Sequence, residues 1–325
     1  MAVALRSLVV LAASWFAAFA PAAIAEDFPS KPIKLIVPFP AGGPSDFIAR
    51  VMSEKAATLL GQPVVMENRP GAAGVTGVAI VSRAEPDGYT IGITASSTLS
   101  INHNLAEKPP YDPLTDLKLL SQIVAVPEVL VVNDKVPART LAELIALAKA
   151  QPGKLNYATP GIGTISHLVV ELLKVNTGID VAHVPYSGAA PAVNDLLGGH
   201  VQMLFADLPN LIGNIKGGKL RPLAVGSEKR ARDLPDVPTA RELGWHEVVA
   251  DNWYGLIAPP QTPPAIAARI HGAIVSALRS PDVLAKLEDQ GYIVVASTPD
   301  EFTAYVKSEI TKWSKVIKAA GMKGK

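Results

Sequence analysis

Cysteine is absent from all 325 residues of the chain. Its absence excludes disulfide bonds, thiol catalysis and thiolate metal ligands together. The chain also lacks an excess of either charge, because 30 Lys and Arg residues face 29 Asp and Glu residues. A balance this close to neutral gives no basic surplus with which to bind nucleic acid, so no nucleic-acid partner is expected. Only 18% of the residues are charged and 49% are hydrophobic, which is typical of a well-packed globular protein.

Residues 1–25 have the features of an export signal. Arg6 provides a positive charge, an apolar run covers residues 8–19, and Ala23-Ile24-Ala25 offers a small-x-small cleavage site. This pattern predicts cleavage after Ala25 and export of the remaining chain. The apolar run is shorter than the roughly 20 residues that a bilayer span needs. Cleavage removes Arg6 alone among the charged residues, which leaves 29 basic and 29 acidic residues.

Strand-like and helix-like segments alternate along nearly all of the remaining chain. Strands are predicted at residues 33–37, 64–67, 90–94, 129–132, 155–158, 181–184, 201–205, 220–225 and 254–258. Helices are predicted at residues 45–60, 74–84, 140–150, 166–177, 189–197, 264–278, 281–290 and 299–320. Thr140 with Glu143 forms a capping-box pattern for the third of these helices. The alternation predicts an α/β fold with parallel sheets covered by helices, in which ligands bind at the carboxyl ends of strands.

A loop without any cationic side chain follows the first predicted strand. Residues 38–45 contain Gly42 and Gly43 and lead into a helix, but they hold no Lys, Arg, His or Cys. Glycines let the backbone come close to a bound group, and the free N–H groups of a helix start attract anions. The loop can therefore hold a carboxylate but offers no catalytic group, so binding is favoured over catalysis and no catalytic residue, metal or cofactor is expected.

A second loop of the same kind begins after the predicted strand at residues 155–158. It contains Gly161 and Gly163 and ends at Thr164, which can cap the next helix and present its hydroxyl to a ligand. Two strand–loop–helix units so far apart in sequence can face each other across a cleft between two domains.

Polar residues after two further strands are candidates for selectivity. Ser96 and Ser97 follow the third strand, where their hydroxyls can contact a ligand or instead satisfy their own backbone. Asp207 follows the strand at residues 201–205 and can reach the cleft. An acid there repels a second carboxylate unless it is protonated, but it welcomes an ammonium or hydroxyl group. With no Lys or Arg in either loop, a dicarboxylate or monocarboxylate is favoured over a tricarboxylate.

Six motifs occur in the order typical of one known family. They lie at residues 31–46, 67–74, 86–90, 183–186, 234–239 and 253–256. Through them the chain resembles the Bug (TctC-like) family, the solute-binding receptors of tripartite tricarboxylate transporters, over residues 28–322. The resemblance implies a two-domain periplasmic binding protein of type II, the flytrap kind, with a parallel-rich sheet in each domain and a ligand cleft between them. It implies capture of a small organic acid and its delivery to membrane permease subunits by a protein that is monomeric and not an enzyme.

The resemblance also suggests site residues and domain limits. In this family one ligand carboxylate is held by the two glycine-rich loops, through main-chain N–H groups, hydroxyls and bridging waters. Carried onto this sequence, those contacts fall on Phe39, Ala41, Gly42, Gly43, Asp46, Gly161, Gly163, Thr164 and His167. Domain 1 is expected to comprise residues 26–125 plus 253–325, and domain 2 residues 126–252.

Alternatives remain for individual residues and for the function. Asp46 can act as a helix-dipole partner rather than a ligand contact, and His167 can cap or pack rather than bind. A sensory adaptor for a membrane sensor would share the same ligand chemistry and differ only in its partner. An exported α/β hydrolase is a weaker alternative: Ser166 and His167 are helical neighbours that do not face each other, and the chain has no G-x-S-x-G motif.

Overall fold

The structure is a computed structural model that describes residues 28–245, 251–319 and 321–322. Two units are distinguished, one up to Ser30 and one from Lys31 onward. Of the first unit only residues 28–30 are described, and the peptide bond between Phe28 and Pro29 is cis. The predicted export signal and its cleavage site lie outside the described residues.

Three parallel strands begin the unit from Lys31 onward. They are β1 (Ile33–Val37), β2 (Val64–Asn68) and β3 (Thr90–Ala95), and they pair in the order β2-β1-β3. Helix α1 (Pro44–Leu60) follows β1, and α2 (Val75–Ser82) lies between β2 and β3. After β3 comes a π-helical turn (Ser97–Ile101) that continues into α3 (Asn102–Leu105). The apolar side chains of β1 are buried because helices cover this part of the sheet.

A second group of three parallel strands repeats this arrangement. They are β5 (Leu155–Thr159), β6 (Val181–Pro185) and β7 (Met203–Asp207), paired in the order β6-β5-β7. The accompanying helices are α4 (Leu141–Ala150), α5 (Ile165–Thr177), α6 (Ala189–Gly198) and α7 (Ile212–Lys216). Thr140 caps α4 by accepting a hydrogen bond from the N–H of Glu143 at 3.2 Å, and the Glu143 carboxylate accepts one from the N–H of Arg139. The predicted cap by Thr140 is confirmed, whereas Glu143 accepts from Arg139, one residue before the N-cap position that a capping box requires.

One long strand joins the two groups. Strand β4 (Lys118–Asn133) pairs antiparallel with β9 (Asp251–Ala258) from Lys118 to Pro127. From Glu128 onward it pairs instead with β7 and with β8 (Leu220–Val225). Strand β9 is also antiparallel to β3, so the strand order is β2-β1-β3-β9-β4-β7-β5-β6.

The last described elements pack back on the first group. They are α8 (Pro264–Leu278), α9 (Pro281–Glu288), the short β10 (Ile293–Val294), which pairs with β4, and α10 (Pro299–Ala319). Trp253 of β9 and Trp313 of α10 are both buried, and each donates its indole N–H to the Glu309 carboxylate, at 3.3 and 3.0 Å. The bond from Trp253 connects β9 to α10, whereas the bond from Trp313 lies within α10.

The predicted α/β fold is confirmed, with three differences in detail. Only residues 129–132 of β4 are predicted from the sequence. Upstream of them, polar residues such as Ser121 and Gln122 interrupt the apolar pattern. In the structure the Ser121 hydroxyl and the Gln122 N–H are buried and bond to Ser297. The strand predicted at residues 201–205 lies two residues later, so Asp207 ends β7 instead of following it. The parallel groups are joined by the antiparallel strands β4 and β9, which makes the complete sheet mixed.

Candidate ligand-binding site

A cavity of about 690 Å³, including its open mouth, lies between the loops of the two strand groups. Its lining consists of Phe39, Pro40, Ala41, Gly43, Pro44, Ser45, Ala95, Ser97, Glu128, Pro160, Thr164, Ile165, Ser166, Ser187, Gly188, Ala189, Ala190, Pro191, Asp207, Asn210, Asn252 and Tyr254. Among the described residues, no Lys, Arg or His belongs to this lining.

Helix α1 begins at the wall of this cavity. Gly42 has a φ of +82°, the left-handed conformation that favours glycine, and it turns the chain into the helix. Gly43 is the N-cap and provides no side-chain cap, so the first-turn N–H groups keep no partner within the helix. The hydroxyl of Ser45 is buried against the cavity and has no hydrogen-bond partner among the described residues. This helix start therefore offers several unsatisfied donors.

Helix α5 begins on the other side of the cavity. Thr164 is its N-cap, and the Thr164 hydroxyl accepts a hydrogen bond from the N–H of His167 at 3.3 Å. The same hydroxyl donates to the carbonyl of Gly161 at 2.8 Å, which fixes the glycine-rich loop. Ser166, in the first turn, donates its hydroxyl to Oε1 of Glu128 at 3.0 Å. The predicted cap at Thr164 is confirmed.

A third helix start lines the same cavity; the helix is predicted from the sequence, but its place in the site is not. Helix α6 has Gly188 as its N-cap, without a side-chain cap, and its first three residues are Ala189, Ala190 and Pro191. A Cβ built on Gly188 would lie 3.3 Å from the side chain of Pro40, so this loop packs against the loop after β1. The three helices have 17, 13 and 10 residues. Their positive dipole ends and free N–H groups make this wall of the cavity suited to an anion.

Two buried carboxyl groups, Glu128 and Asp207, also line the cavity. Their exposed fractions are 1% and 5%. Burial raises the pKa of Glu128 well above its usual range, and the neighbouring charges of Asp207 and Asp251 raise it further. Burial also raises the pKa of Asp207 to about 6, although hydrogen bonds from Tyr254 and Asn252 lower it. At neutral pH the pair therefore holds one proton, on Glu128, and one negative charge, on Asp207.

A hydrogen-bond network holds Asp207 in place. Asn252 donates its side-chain amide N–H groups to the Asp207 carboxylate at 2.9 and 3.2 Å, and Tyr254 donates its hydroxyl at 2.7 Å. The amide oxygen of Asn252 accepts from the Ser96 hydroxyl at 2.6 Å. Ends of β3, β7 and β9 are thus connected through polar side chains at one side of the cavity. Oε2 of Glu128, by contrast, accepts no hydrogen bond from the described residues.

The structure brings half of the sequence-predicted site residues to the cavity lining. Those in the lining are Phe39, Ala41, Gly43, Ser97, Thr164 and Asp207. Those outside it are Gly42, Asp46, Ser96, Gly161, Gly163 and His167. Each of the second set lies next to a lining residue, and its polar contacts are to protein groups.

The Asp46 carboxylate is hydrogen-bonded to neighbouring protein groups at the start of α1. Its carboxylate accepts from the N–H of Gly42 at 3.1 Å, from Nε of Arg50 at 3.0 Å and from the amide of Asn68 at 3.2 Å. Burial raises the pKa of Asp46, but these hydrogen bonds outweigh burial and lower the pKa. Asp46 therefore orients the loop that carries Gly42 and Gly43.

His167 belongs to a stack of rings behind the second loop. Its Nδ1 accepts from the N–H of Gly163 at 3.3 Å, and its ring stacks on His183 with centroids 4.3 Å apart. His183 in turn stacks on Tyr157 at 4.7 Å. Burial lowers the pKa of His167, and burial together with the neighbouring His167 lowers the pKa of His183 to about 4. Both rings are therefore neutral at neutral pH.

Several lining residues were not predicted. Glu128 is a lone acid in an apolar strand, and that isolation is the signal that could have revealed it. Ser187 and Gly188 repeat the strand–turn–helix pattern of the two predicted loops. Asn252 and Tyr254 have no local signal, because they reach the cavity only through the long-range pairing of β9 with β3 and β4.

Neither a metal-binding cluster nor a candidate membrane-spanning helix occurs among the described residues. Among the described residues, no group of His, Asp or Glu is arranged to hold a metal ion. Within the described ranges, no helix combines the length and the apolar character that crossing a bilayer requires.

The fold and the cavity together define a solute-binding protein: two strand groups joined by crossing strands, with three helix N-termini lining one cavity. The chain belongs to the family of tripartite tricarboxylate transporter receptors, because the model described as "Tripartite tricarboxylate transporter family receptor" matches residues 48–322. The resemblance found in the sequence is confirmed.

Relatives with similar sequences or structures agree with this membership. Protein BugT of Bordetella pertussis is 40% identical over 300 residues, which is 92% of each chain. The periplasmic binding protein BugD has a solved structure with a TM-score of 0.88, 33% identity, and coverage of 92% of this chain and 100% of BugD. A protein of R. palustris solved with adipate has a TM-score of 0.86, 33% identity, and coverage of 90% and 98%. The chain is thus a receptor of the periplasmic binding protein class and not an enzyme.

Proposed function

We propose that this protein captures a small organic acid in the cavity and delivers it to the membrane permease subunits of a tripartite tricarboxylate-type transporter. The observation that carries the proposal is the meeting of three helix N-termini at one cavity wall that contains no cationic side chain. A carboxylate bound there gains charge-assisted hydrogen bonds, and no Lys or Arg has to be desolvated.

One ligand carboxylate would lie at the starts of α1, α5 and α6. The buried hydroxyl of Ser45 has no partner among the described residues, and a carboxylate oxygen would accept its hydrogen bond. Gly43 would let the ligand approach the main chain closely. Direct contacts are proposed for Phe39, Ala41, Gly43, Ser97, Thr164 and Asp207. The other predicted residues, Gly42, Asp46, Ser96, Gly161, Gly163 and His167, would position these contacts.

The ligand would be an acid of about four to six carbons. The relative solved with adipate, a six-carbon dicarboxylate, supports both the size and the dicarboxylate preference. Water bridges would allow acids of different length to share the same carboxylate contacts.

The binding cycle would involve two lobes of one monomer. Domain 1 would comprise residues 26–125 plus 253–325, and domain 2 residues 126–252. The change of partner in β4 after Pro127 and the start of β9 at Asp251 support crossings near these limits. Cleavage of the export signal after Ala25 would release the receptor into the periplasm, where family members such as BugD are periplasmic binding proteins.

Two other functions are the alternatives: one differs from a transport receptor in its partner, and the other differs in its site. A sensory adaptor would bind the same acid and dock on a membrane sensor. A hydrolase would need an activated nucleophile, but the Ser166 hydroxyl donates to Glu128, and no His lines the cavity. Growth and uptake assays separate the first alternative: cells that lack the receptor should lose uptake of the acid it binds, whereas loss of an adaptor would change gene expression or movement.

Titration calorimetry on the protein without residues 1–25, with a chelator present, tests the binding. A panel of C4 to C6 mono- and dicarboxylates should include at least one that binds saturably and is recovered chemically intact. If only sugars bind, or if binding needs a metal, the proposal fails. Chemical conversion of the acid by the pure protein would favour the enzyme alternative.

A further inference from the structure

The carboxyl groups of Glu128 and Asp207 form an acidic region of the cavity, and Ser166 at the start of α5 donates a hydrogen bond to Glu128. Glu128 is the first residue of β4 to pair with β7, and its partner in the antiparallel register is Asp207. Both side chains are buried and both line the cavity. Oε2 of Glu128 accepts no hydrogen bond from the described residues, and the protonated Glu128 donates one to Asp207. The pair is thus a buried acidic site whose shared proton a cationic donor can replace.

Among the described residues, no cationic side chain offsets the negative charge of Glu128 and Asp207. The groups that act on it electrostatically are Asp251 and Tyr254 of β9 and Tyr292, which precedes β10. None of them is a cation, and the cavity lining itself contains no Lys, Arg or His. A ligand therefore meets a negative site here and donors at the helix starts.

The existing hydrogen bonds leave room for one more donor. Asp207 accepts from Asn252 and Tyr254, and Oε1 of Glu128 accepts from Ser166. An ammonium group carries three N–H donors and a positive charge, so it can satisfy Oε2 and neutralise the pair. A second ionised carboxylate would bring a like charge without any donor.

We propose that Glu128 and Asp207 form an ammonium-binding subsite, so that the preferred ligand carries a carboxylate at one end and an ammonium group at the other. This inference rests on the organic-acid capture proposed above and replaces the dicarboxylate preference proposed there. It keeps one carboxylate at the starts of α1, α5 and α6 and replaces the second carboxylate of a dicarboxylate with a cation. The chemical class is that of amino acids whose amine and carboxyl groups are separated by several carbons.

Binding should also move a proton. The free pair holds one proton, on Glu128. An ammonium group favours the ionised form of both acids, so Glu128 releases its proton to solvent when an amino acid binds. A dicarboxylate favours the protonated forms, so its binding takes a proton up. The sign of the proton change therefore depends on which ligand occupies the subsite.

The test compares acids of equal length by calorimetry at pH 7.5. The pairs are succinate with 4-aminobutyrate, glutarate with 5-aminopentanoate, and adipate with 6-aminohexanoate. We expect at least one amino acid to bind ten times more tightly than its matched diacid. Repeating the titration in buffers of different ionisation enthalpy should show proton release for the amino acid.

Variants assign the preference to the pair. Glu128→Gln and Asp207→Asn should each reduce the ratio of amino acid to diacid affinity at least fivefold. Glu171→Gln, which removes a half-buried carboxyl outside the cavity lining, should leave the ratio unchanged. If no amino acid binds ten times more tightly than its matched diacid, or if the ratio is unchanged in both pair variants, the subsite is overturned while organic-acid binding stands. Absence of binding by every acid overturns the proposed function itself.

Discussion

Glu128 and Asp207 lie directly opposite each other in the antiparallel pairing of β4 with β7. Residues so placed have Cβ atoms about 4.5–5.5 Å apart. Both carboxyl groups are buried, and two buried acids at this separation cannot both be ionised without a large cost. The cavity of this receptor therefore contains a carboxyl pair that holds a proton, in addition to helix starts that attract anions.

Glu128→Gln should stabilise the free protein at pH 8 and have little effect near pH 4. The raised pKa of Glu128 means that the folded state keeps a proton that the unfolded chain loses above about pH 4.3. The contribution of Glu128 is thus fully present below the unfolded pKa and is lost as pH rises. Gln stays neutral and can still donate to Asp207, so it avoids a loss of about 1.4 kcal/mol for each unit by which the pKa is raised. Urea unfolding at pH 4, 6 and 8 measures the difference.

Glu171→Gln is the control, because the pKa of Glu171 is shifted in the opposite direction and its substitution should change stability with the opposite sign. Burial raises the pKa of Glu171, but hydrogen bonds from Lys174 and Tyr157 outweigh burial and lower the pKa. Its stabilisation is present above the unfolded pKa and is lost as pH falls, so Gln should destabilise at pH 8. Equal pH profiles for the two variants would contradict the raised pKa of Glu128.

Ser45→Ala should weaken binding without weakening the fold. A buried hydroxyl without a partner costs about 1–3 kcal/mol, so its removal should leave the free protein unchanged or slightly more stable. The lost hydrogen bond to a carboxylate, about 1.5–3 kcal/mol, should lower affinity at least tenfold. Calorimetry and thermal unfolding measure the two effects.

Ser53→Ala is the matched control, because Ser53 also lies in α1 with a buried, unpartnered hydroxyl but is outside the cavity lining. Its stability should change as in the Ser45 variant, with unaltered affinity. A Ser45 variant that binds as well as the Ser53 variant would remove α1 from the ligand contacts.

Gly43→Ala should fold normally and bind less tightly. Gly43 has an extended conformation, and a Cβ built on it meets only the carbonyl of Pro40, at 3.6 Å, which is an ordinary contact. The methyl group would instead occupy space at the cavity wall, and affinity should fall about tenfold. Gly272→Ala, in the exposed middle of α8, provides the control, since a Cβ there meets nothing within 4 Å. Native affinity in the Gly43 variant would show that the ligand does not approach this residue.

Ligand binding should make the protein smaller in solution. If the two proposed lobes close on the acid, its higher affinity for the closed form shifts the population toward that form. Small-angle scattering should then give a smaller radius of gyration with ligand than without. In the structure Asn102 already donates its amide to the carbonyl of Gly163 at 3.3 Å, a bond between the two strand groups. An unchanged radius at saturating ligand would argue against the hinge.

The local features of the fold can be predicted from the sequence. Only some of the residues that line the cavity can be predicted in this way. The loops with Gly43 and Thr164 carry their own signals, since an apolar strand, a glycine turn and a helix start follow one another. Asn252 has no comparable local pattern, and the isolated acid Glu128 does not by itself indicate which residue it pairs with. Their positions depend on how β4 pairs with β7 and how β9 pairs with β4, and register between strands distant in sequence is not encoded locally.

The conversion of β4 from a short predicted strand into a long one has the same cause. Ser121 and Gln122 are polar and break the apolar pattern, but their partner Ser297 comes from a segment far along the chain. A buried polar group is favourable once it is hydrogen-bonded, and that partner becomes visible only in the folded protein.

A crystal structure of the protein without residues 1–25, bound to its tightest organic acid, tests the central claim most directly. We expect one ligand carboxylate at the starts of α1, α5 and α6, with an oxygen about 2.5–3.0 Å from the Ser45 hydroxyl. A carboxylate that instead faces Glu128 and Asp207, or a ligand bound outside this cavity, would contradict the account.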